Sequence, residues 1–170
     1  LGDTLRRLGR FKEAEGCFVK SLSITSSVNG LHNLGVVLRD LGRLEDSIDS
    51  YNQAIALKPD YAEAYKDLSM TYLMQLNFKQ GFELYEWRWK TPKLNSQQRN
   101  FTYPMWDGKT TLKDKTILLW CEQGIGDTMN WSSCLSIVIS RAKHIILECQ
   151  KKLVPLLSRS FPNIEVKAQD

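Results

Sequence analysis

The residues best placed to do chemistry lie in one short run, Glu122-Gln123-Gly124-Ile125-Gly126-Asp127-Thr128. An apolar stretch from Thr116 to Cys121 leads into it, and a segment with helical character follows from Met129. This order reads as a buried strand, a tight glycine turn and a helix N-terminus. Gly124 and Gly126 let a ligand approach the backbone, where free amides and the positive end of a helix dipole would meet it. Asp127 has two roles open to it. A carboxylate where strand meets helix can act as general base toward a hydroxyl. It can equally cap the helix, accepting an amide hydrogen bond and doing no chemistry. Thr128 is a second capping candidate.

Other chemistry finds less support. No third glycine completes a dinucleotide fingerprint, and no lysine follows in the manner of a phosphate-binding loop. Cys17, Cys121, Cys134 and Cys149 form no CxxC pair, and His32 and His144 lie far from them, so neither a metal site nor a disulfide framework is expected. Free thiols point to a reducing, cytoplasmic setting. The formal net charge is +4, and it falls in the C-terminal half, a mild excess near the glycine run that suits an anionic ligand. No dense basic block points to nucleic acid. No apolar run approaches the roughly 20 residues of a membrane span.

The elements that must position the run begin with a repeat. Gly2 and Gly35, Gly9 and Gly42, and Phe18 and Tyr51 share one spacing, and Leu34 and Leu68, Leu38 and Tyr72, and Tyr51 and Tyr85 continue it one residue longer. A period near 34 with small, aromatic and proline positions at these offsets resembles the tetratricopeptide repeat over residues 1–90, about two and a half copies. Each copy is a pair of antiparallel helices. Small residues such as Gly35 and Ala54 allow close approach, Leu31, Leu38 and Tyr51 fill the gap, and Pro59 ends the second helix. Neighbouring pairs stack to bury their apolar faces. The first helix of each pair is expected to line a concave face, which brings Asn29, His32, Asn33, Val36, Arg39, Asp40, Glu63, Lys66, Asp67 and Met70 into line. There they either grip a partner peptide or stand as a solvated face, and His32 reads as a surface residue. The third copy drifts, with Leu76 at the Gly42 position and Arg88 at the Ala54 position. Trp87 and Trp89 are read as lying near a seam with the next domain, or as packing within the repeat.

Residues 91–115 read as a linker pinned along the surface by Phe101, Tyr103, Pro104, Met105 and Trp106, with a turn at Asp107-Gly108. Residues 116–170 then read as strand Thr116–Cys121, a helix from Asp127 to Arg141, strand His144–Cys149, a helix from Lys151 to Ser160, and a third strand from Ile164. His144 is taken as structural. Apolar strands alternating with helices imply a parallel sheet covered by helices on both faces. The chain starts at Leu1 and stops just after a strand, so it is read as a fragment cut at both ends, with further repeats upstream.

Three motifs in fixed order, Tyr85-Glu86-Trp87-Arg88-Trp89, Pro104-Met105-Trp106-Asp107-Gly108 and Glu122-Gln123-Gly124-Ile125-Gly126-Asp127-Thr128, resemble a bacterial group in which tetratricopeptide repeats precede a glycosyltransferase-like domain. The α/β part is similar to the first half of a GT-B fold, and distantly to the heptosyltransferases. The repeats with Asn33-Leu34-Gly35 resemble those of the O-linked N-acetylglucosamine transferases. The resemblance implies a Rossmann-like half-domain and transfer of a sugar from a nucleotide-sugar donor to a protein or glycan hydroxyl. It implies Asp127 as base, with Glu122, Gln123, Gly124, Gly126 and Thr128 around the substrate. The repeat register places Asn29, His32, Asn33, Arg39 and Lys66 on a partner-binding groove, and no resident cofactor or metal is expected. The donor-binding half is absent, so this chain alone is not expected to turn over. The rival expectation is a non-catalytic protein-interaction scaffold.

Overall fold

The computed structural model describes residues 1–95, 99, 101–122 and 124–169. Two compact units, Leu1–Asn100 and Phe101–Asp170, divide the chain, and each has its own core.

The first unit is a helical solenoid of three antiparallel pairs. These are α1 (Gly2–Arg7) with α2 (Phe11–Ile24), α3 (Val28–Asp40) with α4 (Leu44–Leu57), and α5 (Ala62–Met74) with α6 (Phe78–Tyr85). The spacing seen in the sequence is a packing rule. A Cβ on Gly35 would stand 2.7 Å from Cε1 of Tyr51, so the Tyr51 ring can close onto α3 only where a side chain is missing. Ser47 lies at the same crossing, buried, and its hydroxyl donates to the Gly35 carbonyl at 2.8 Å. Val36, expected on the concave face, is instead buried with Tyr51 and Leu68.

Each pair turns the same way. Gly9, Gly42 and Leu76 follow α1, α3 and α5 with φ of 75°, 78° and 61°. The amide after each returns to the last turn of its helix: Arg10 to Leu5, Arg43 to Leu38, and Asn77 to Tyr72, all at 2.9 Å. This is the left-handed helix stop that glycine serves without strain. At this turn the third pair therefore keeps the backbone of the other two while losing their residue. α6 is shorter than α4 and tightens into a 3-10 turn at Glu86–Lys90, after which Pro92–Asn95 forms the brief α7.

In the second unit, β1 (Thr116–Trp120), β2 (His144–Cys149) and β3 (Glu165–Ala168) form a parallel sheet in that order. Ile117 pairs with Ile145 and Leu147 with Val166. The connections are α8 (Ile125–Ser132) and α9 (Leu135–Ile139), then a 3-10 turn at Lys151–Leu153 and α10 (Val154–Ser160). One helix was expected over Asp127–Arg141. It breaks at Ser133-Cys134, where the Ser132 and Ser133 hydroxyls bond back to the Met129 and Asn130 carbonyls and compete with the helix ladder.

Among the described residues, helices cover one sheet face rather than both as expected. Leu135 and Ile139 of α9 and Leu153 and Leu157 of α10 pack on the same side, against Leu119, Leu147, Cys149 and Val166. Strand order 1-2-3 steps the same way twice, and two crossovers of one hand then land on one face. The other face shows Leu118, Trp120 and Ile146 half-buried, with Phe101 tilted against Trp120 at 6.2 Å between ring centres.

Of the five residues expected to pin this segment, Trp106 packs beside Leu112, Ile117 and Ile145, whereas Phe101 is 42% exposed with its ring tilted against Trp120, and Tyr103, Pro104 and Met105 are exposed. The Asp107-Gly108 turn is present. Asp107 accepts from the amides of Lys109 (2.9 Å) and Thr110 (2.7 Å), and Gly108 has φ of 74°. These amides, Thr110 first, hold the Asp107 carboxyl below its usual range. No helix among the described residues is long and apolar enough to cross a membrane.

Candidate functional site

Each unit carries one candidate site. In the solenoid, α3 and α5 stand side by side and offer polar residues from successive turns. Asp67 of α5 is the hub. His32 Nε2 lies 2.8 Å from its Oδ2, and Arg39 Nη1 and Lys66 Nζ each lie 3.5 Å from its Oδ1. Burial works to raise the Asp67 carboxyl. The His32 hydrogen bond and the charges of Lys66, His32 and Arg39 outweigh it and hold the group below the ordinary carboxylate value.

His32 is not the surface residue expected. It is pinched between Tyr51 and Tyr61, at 5.7 and 5.4 Å between ring centres. Tyr61 in turn donates to Asn29 Oδ1 at 3.2 Å. Tyr51 is fully buried, and its hydroxyl has no hydrogen-bond partner among the described residues. Burial pushes its pKa up to about 12.

Of the five residues expected to contact a partner, then, Asn29, His32, Arg39 and Lys66 all reach across to the next repeat or to Asp67, and Asn33 is half-buried on α3. Asn29, His32 and Arg39 tie repeat to repeat, while Lys66 pairs with its neighbour Asp67 on the same helix. Their outer edge nevertheless borders a groove of about 320 Å³ lined by Arg39, Lys66, Asp67, Met70, Met74, Tyr85, Arg88 and Leu94. Met70 and Met74 are 41% and 54% exposed there. The Arg88 guanidinium lies over the rings of Tyr85 and Trp89, 4.4 and 4.7 Å from their centres. Trp87 points elsewhere and stacks on Tyr65 of α5 at 3.9 Å.

Sequence reading had Met70 among the concave positions but missed Met74, Tyr85, Arg88 and Leu94 as one wall. The signal was Arg88 standing where the second copy has Ala54.

At the strand ends of the second unit, the candidate residues are partly dispersed. Gly124 is the N-cap of α8, with φ of −66° and ψ of 173°, and no side chain caps the helix. Asp127 and Thr128 are therefore not the cap, because the helix starts two residues earlier than expected. Neither Gly124 nor Gly126 has a left-handed backbone, so the turn does not itself require glycine; open space lies where a Gly126 side chain would point. Asp127 is exposed in the first turn of α8, where an anion is favoured by the helix dipole.

Thr128 is buried, its hydroxyl shared between Gly124 O (3.1 Å) and Gln150 Oε1 (3.0 Å). That hydroxyl pins the loop to the end of β2 rather than facing a substrate. Gln169 donates to the Cys121 carbonyl and ties β3 to β1 in the same way. Burial pushes the Cys121 thiol up. Glu122 is half-buried, and Gln123 lies outside the described residues. His144 opens β2 with Nε2 3.3 Å from Glu165 Oε2, a link between strands. Among the described residues no group of three metal-ligating side chains occurs.

Comparison with known proteins bears on the helical unit. Protein FlbA of Caulobacter vibrioides is 28% identical over 211 aligned residues, which take in 99% of this chain and 35% of FlbA. The chain thus spans about a third of the length of that relative. The Sgt2 TPR domain from Aspergillus fumigatus superposes with a TM-score of 0.51 at 18% identity, over 56% of this chain and 68% of that one. MamA does so with 0.50 at 15% identity, over 58% of each chain. At such identities the likeness is one of fold. Residues 35–75 match the family model described as TPR repeat. Together with the repeated helical pairs, this gives the N-terminal unit a TPR-like solenoid fold.

Proposed function

We propose that the solenoid is a docking platform that holds a segment of a partner protein against α3 and α5. The observation that carries this is the groove with Met70 and Met74 exposed between cationic and aromatic walls. Thioethers on unbranched chains adapt to varied apolar side chains, and neighbouring arginine and lysine supply orientation. The polar ties through Asp67 keep α3 and α5 at a fixed distance, so the groove is formed before the partner arrives and less ordering is lost on binding. Four free cysteines suit a protein working in the cytoplasm.

The test is selection of binding peptides from a random display library on the intact chain. Met70→Asp should weaken the selected peptides at least tenfold, whereas Asn52→Asp on the exposed side of α4 should not. Peptides indifferent to Met70→Asp would remove the groove from the account.

A second reading concerns the sheet unit. Asp127 is exposed in the first helical turn after β1, at the carboxyl end of a parallel sheet, the side on which α/β folds bind ligands. That position supports the reading of the unit as part of a Rossmann-like sugar transferase of the GT-B kind. Asp127 would be the base, with Gly124, Gly126, Glu122 and Gln123 near the substrate and a nucleotide sugar as donor. The test belongs in a protein that also carries a donor-binding half: there Asp127→Asn should abolish sugar transfer while circular dichroism shows the fold intact. Undiminished transfer would remove Asp127 as the base and leave only the docking platform.

A further inference from the structure

The outer face of α6 carries a pattern complementary to itself. The inner face is settled by packing: a side chain at Gly81 would strike Leu73, and Leu84 joins Val36, Tyr51 and Leu68. The opposite arc holds two pairs, each four residues apart. Phe78 and Phe82 are 55% and 46% exposed, with ring planes 21° apart and centres 6.4 Å apart. Beside them stand Lys79 and Glu83, both exposed, and among the described residues they enter no ion pair. Lysine preceding glutamate by four is the weaker order for a pair within one helix, which leaves both charges available to another molecule.

A two-fold axis makes residue i meet residue j while j meets i. Two copies of α6 laid antiparallel about such an axis set each Phe78 against the other copy's Phe82, and each Lys79 against the other copy's Glu83. The apolar pairs are covered and both charges find opposites in one arrangement. A parallel arrangement would set Lys79 against Lys79 and Glu83 against Glu83. We propose that this chain self-associates through α6 as an antiparallel two-fold dimer. The contact is built from one eight-residue helix per copy, well short of the roughly 800 Å² per partner of a standard interface, so the dimer is weak and forms with rising concentration. The proposal is independent of what the groove binds.

Sedimentation equilibrium of the intact chain at increasing concentration tests it. The weight-average mass should climb toward that of a dimer by about 500 µM, in the range set by a small contact. Phe82→Ser should abolish the climb. Lys79→Glu and Glu83→Lys, each of which sets like charges face to face, should weaken association roughly fivefold. The double exchange Lys79→Glu/Glu83→Lys should restore it to within about twofold, because the pattern is then rebuilt in reverse. These side chains are on the surface, and circular dichroism would confirm that each variant is folded. A mass independent of concentration, single exchanges without effect, or a double exchange that fails to restore association would each overturn the proposal.

Discussion

Leu76 shows how much a single position can hide. Its backbone stands at φ 61°, in the region that Gly9 and Gly42 occupy in the preceding repeats. A side chain there costs about 1–2 kcal/mol from crowding against the following carbonyl. The Leu76 side chain is 72% exposed, so little packing offsets that cost. Leu76→Gly should therefore stabilise the protein by about 1 kcal/mol, the strain relief less the added freedom of the unfolded chain. Urea denaturation measures it, and a midpoint unchanged or lowered would show that Leu76 is held by contacts worth more than its strain. Gly35 is the opposite case. There the missing side chain is required by the Tyr51 ring rather than by the backbone.

At the scale of elements, the joint between α3 and α5 is electrostatic as well as apolar. Asp67 is only 15% exposed and lies within 2.8–3.5 Å of nitrogens of His32, Arg39 and Lys66. Its pKa is lowered in the folded state, so the unfolded chain binds the proton more readily. The stability it contributes is complete above the unfolded value near 4, and it is lost as pH falls through the lower folded value. Asp67→Asn should therefore be less stable than the parent at pH 7, with the difference closing below about pH 4. Thermal denaturation across pH 3–7 reads this directly; a gap that persists at the acid end would assign the loss to packing instead. The same residues explain why the concave face was only half legible. The register places Asn29, His32, Arg39 and Lys66 on one side of the first helices. Whether those side chains meet solvent or each other depends on the neighbouring repeat.

At the scale of the molecule, two cores divide the chain. Leu147 is buried among Cys149, Leu153 and Leu157 in one, and Tyr51 among Val36 and Leu68 in the other. Leu147→Ala removes apolar volume from the sheet unit and should cost about 2–5 kcal/mol there. Hydrogen exchange should then show faster exchange of the β1, β2 and β3 amides, with α3 and α4 protected as before. Equal loss of protection in α3 and α4 would mean that the two units unfold as one.

Spacing alone determined the helical turns at Gly9 and Gly42, the small and aromatic positions of the repeat, and the strand order in sequence, because periodicity is a local property of the chain. The Asp107-Gly108 turn was legible for the same reason, since its hydrogen bonds span only three residues. What tertiary structure decided was where side chains end up once distant segments meet. His32 was drawn between Tyr51 and Tyr61, and Thr128 was spent on Gln150. Both crossover helices fell on one sheet face because β1, β2 and β3 step in a single direction. Packing across residues far apart in the chain sets these outcomes, and no window of neighbouring residues carries that information.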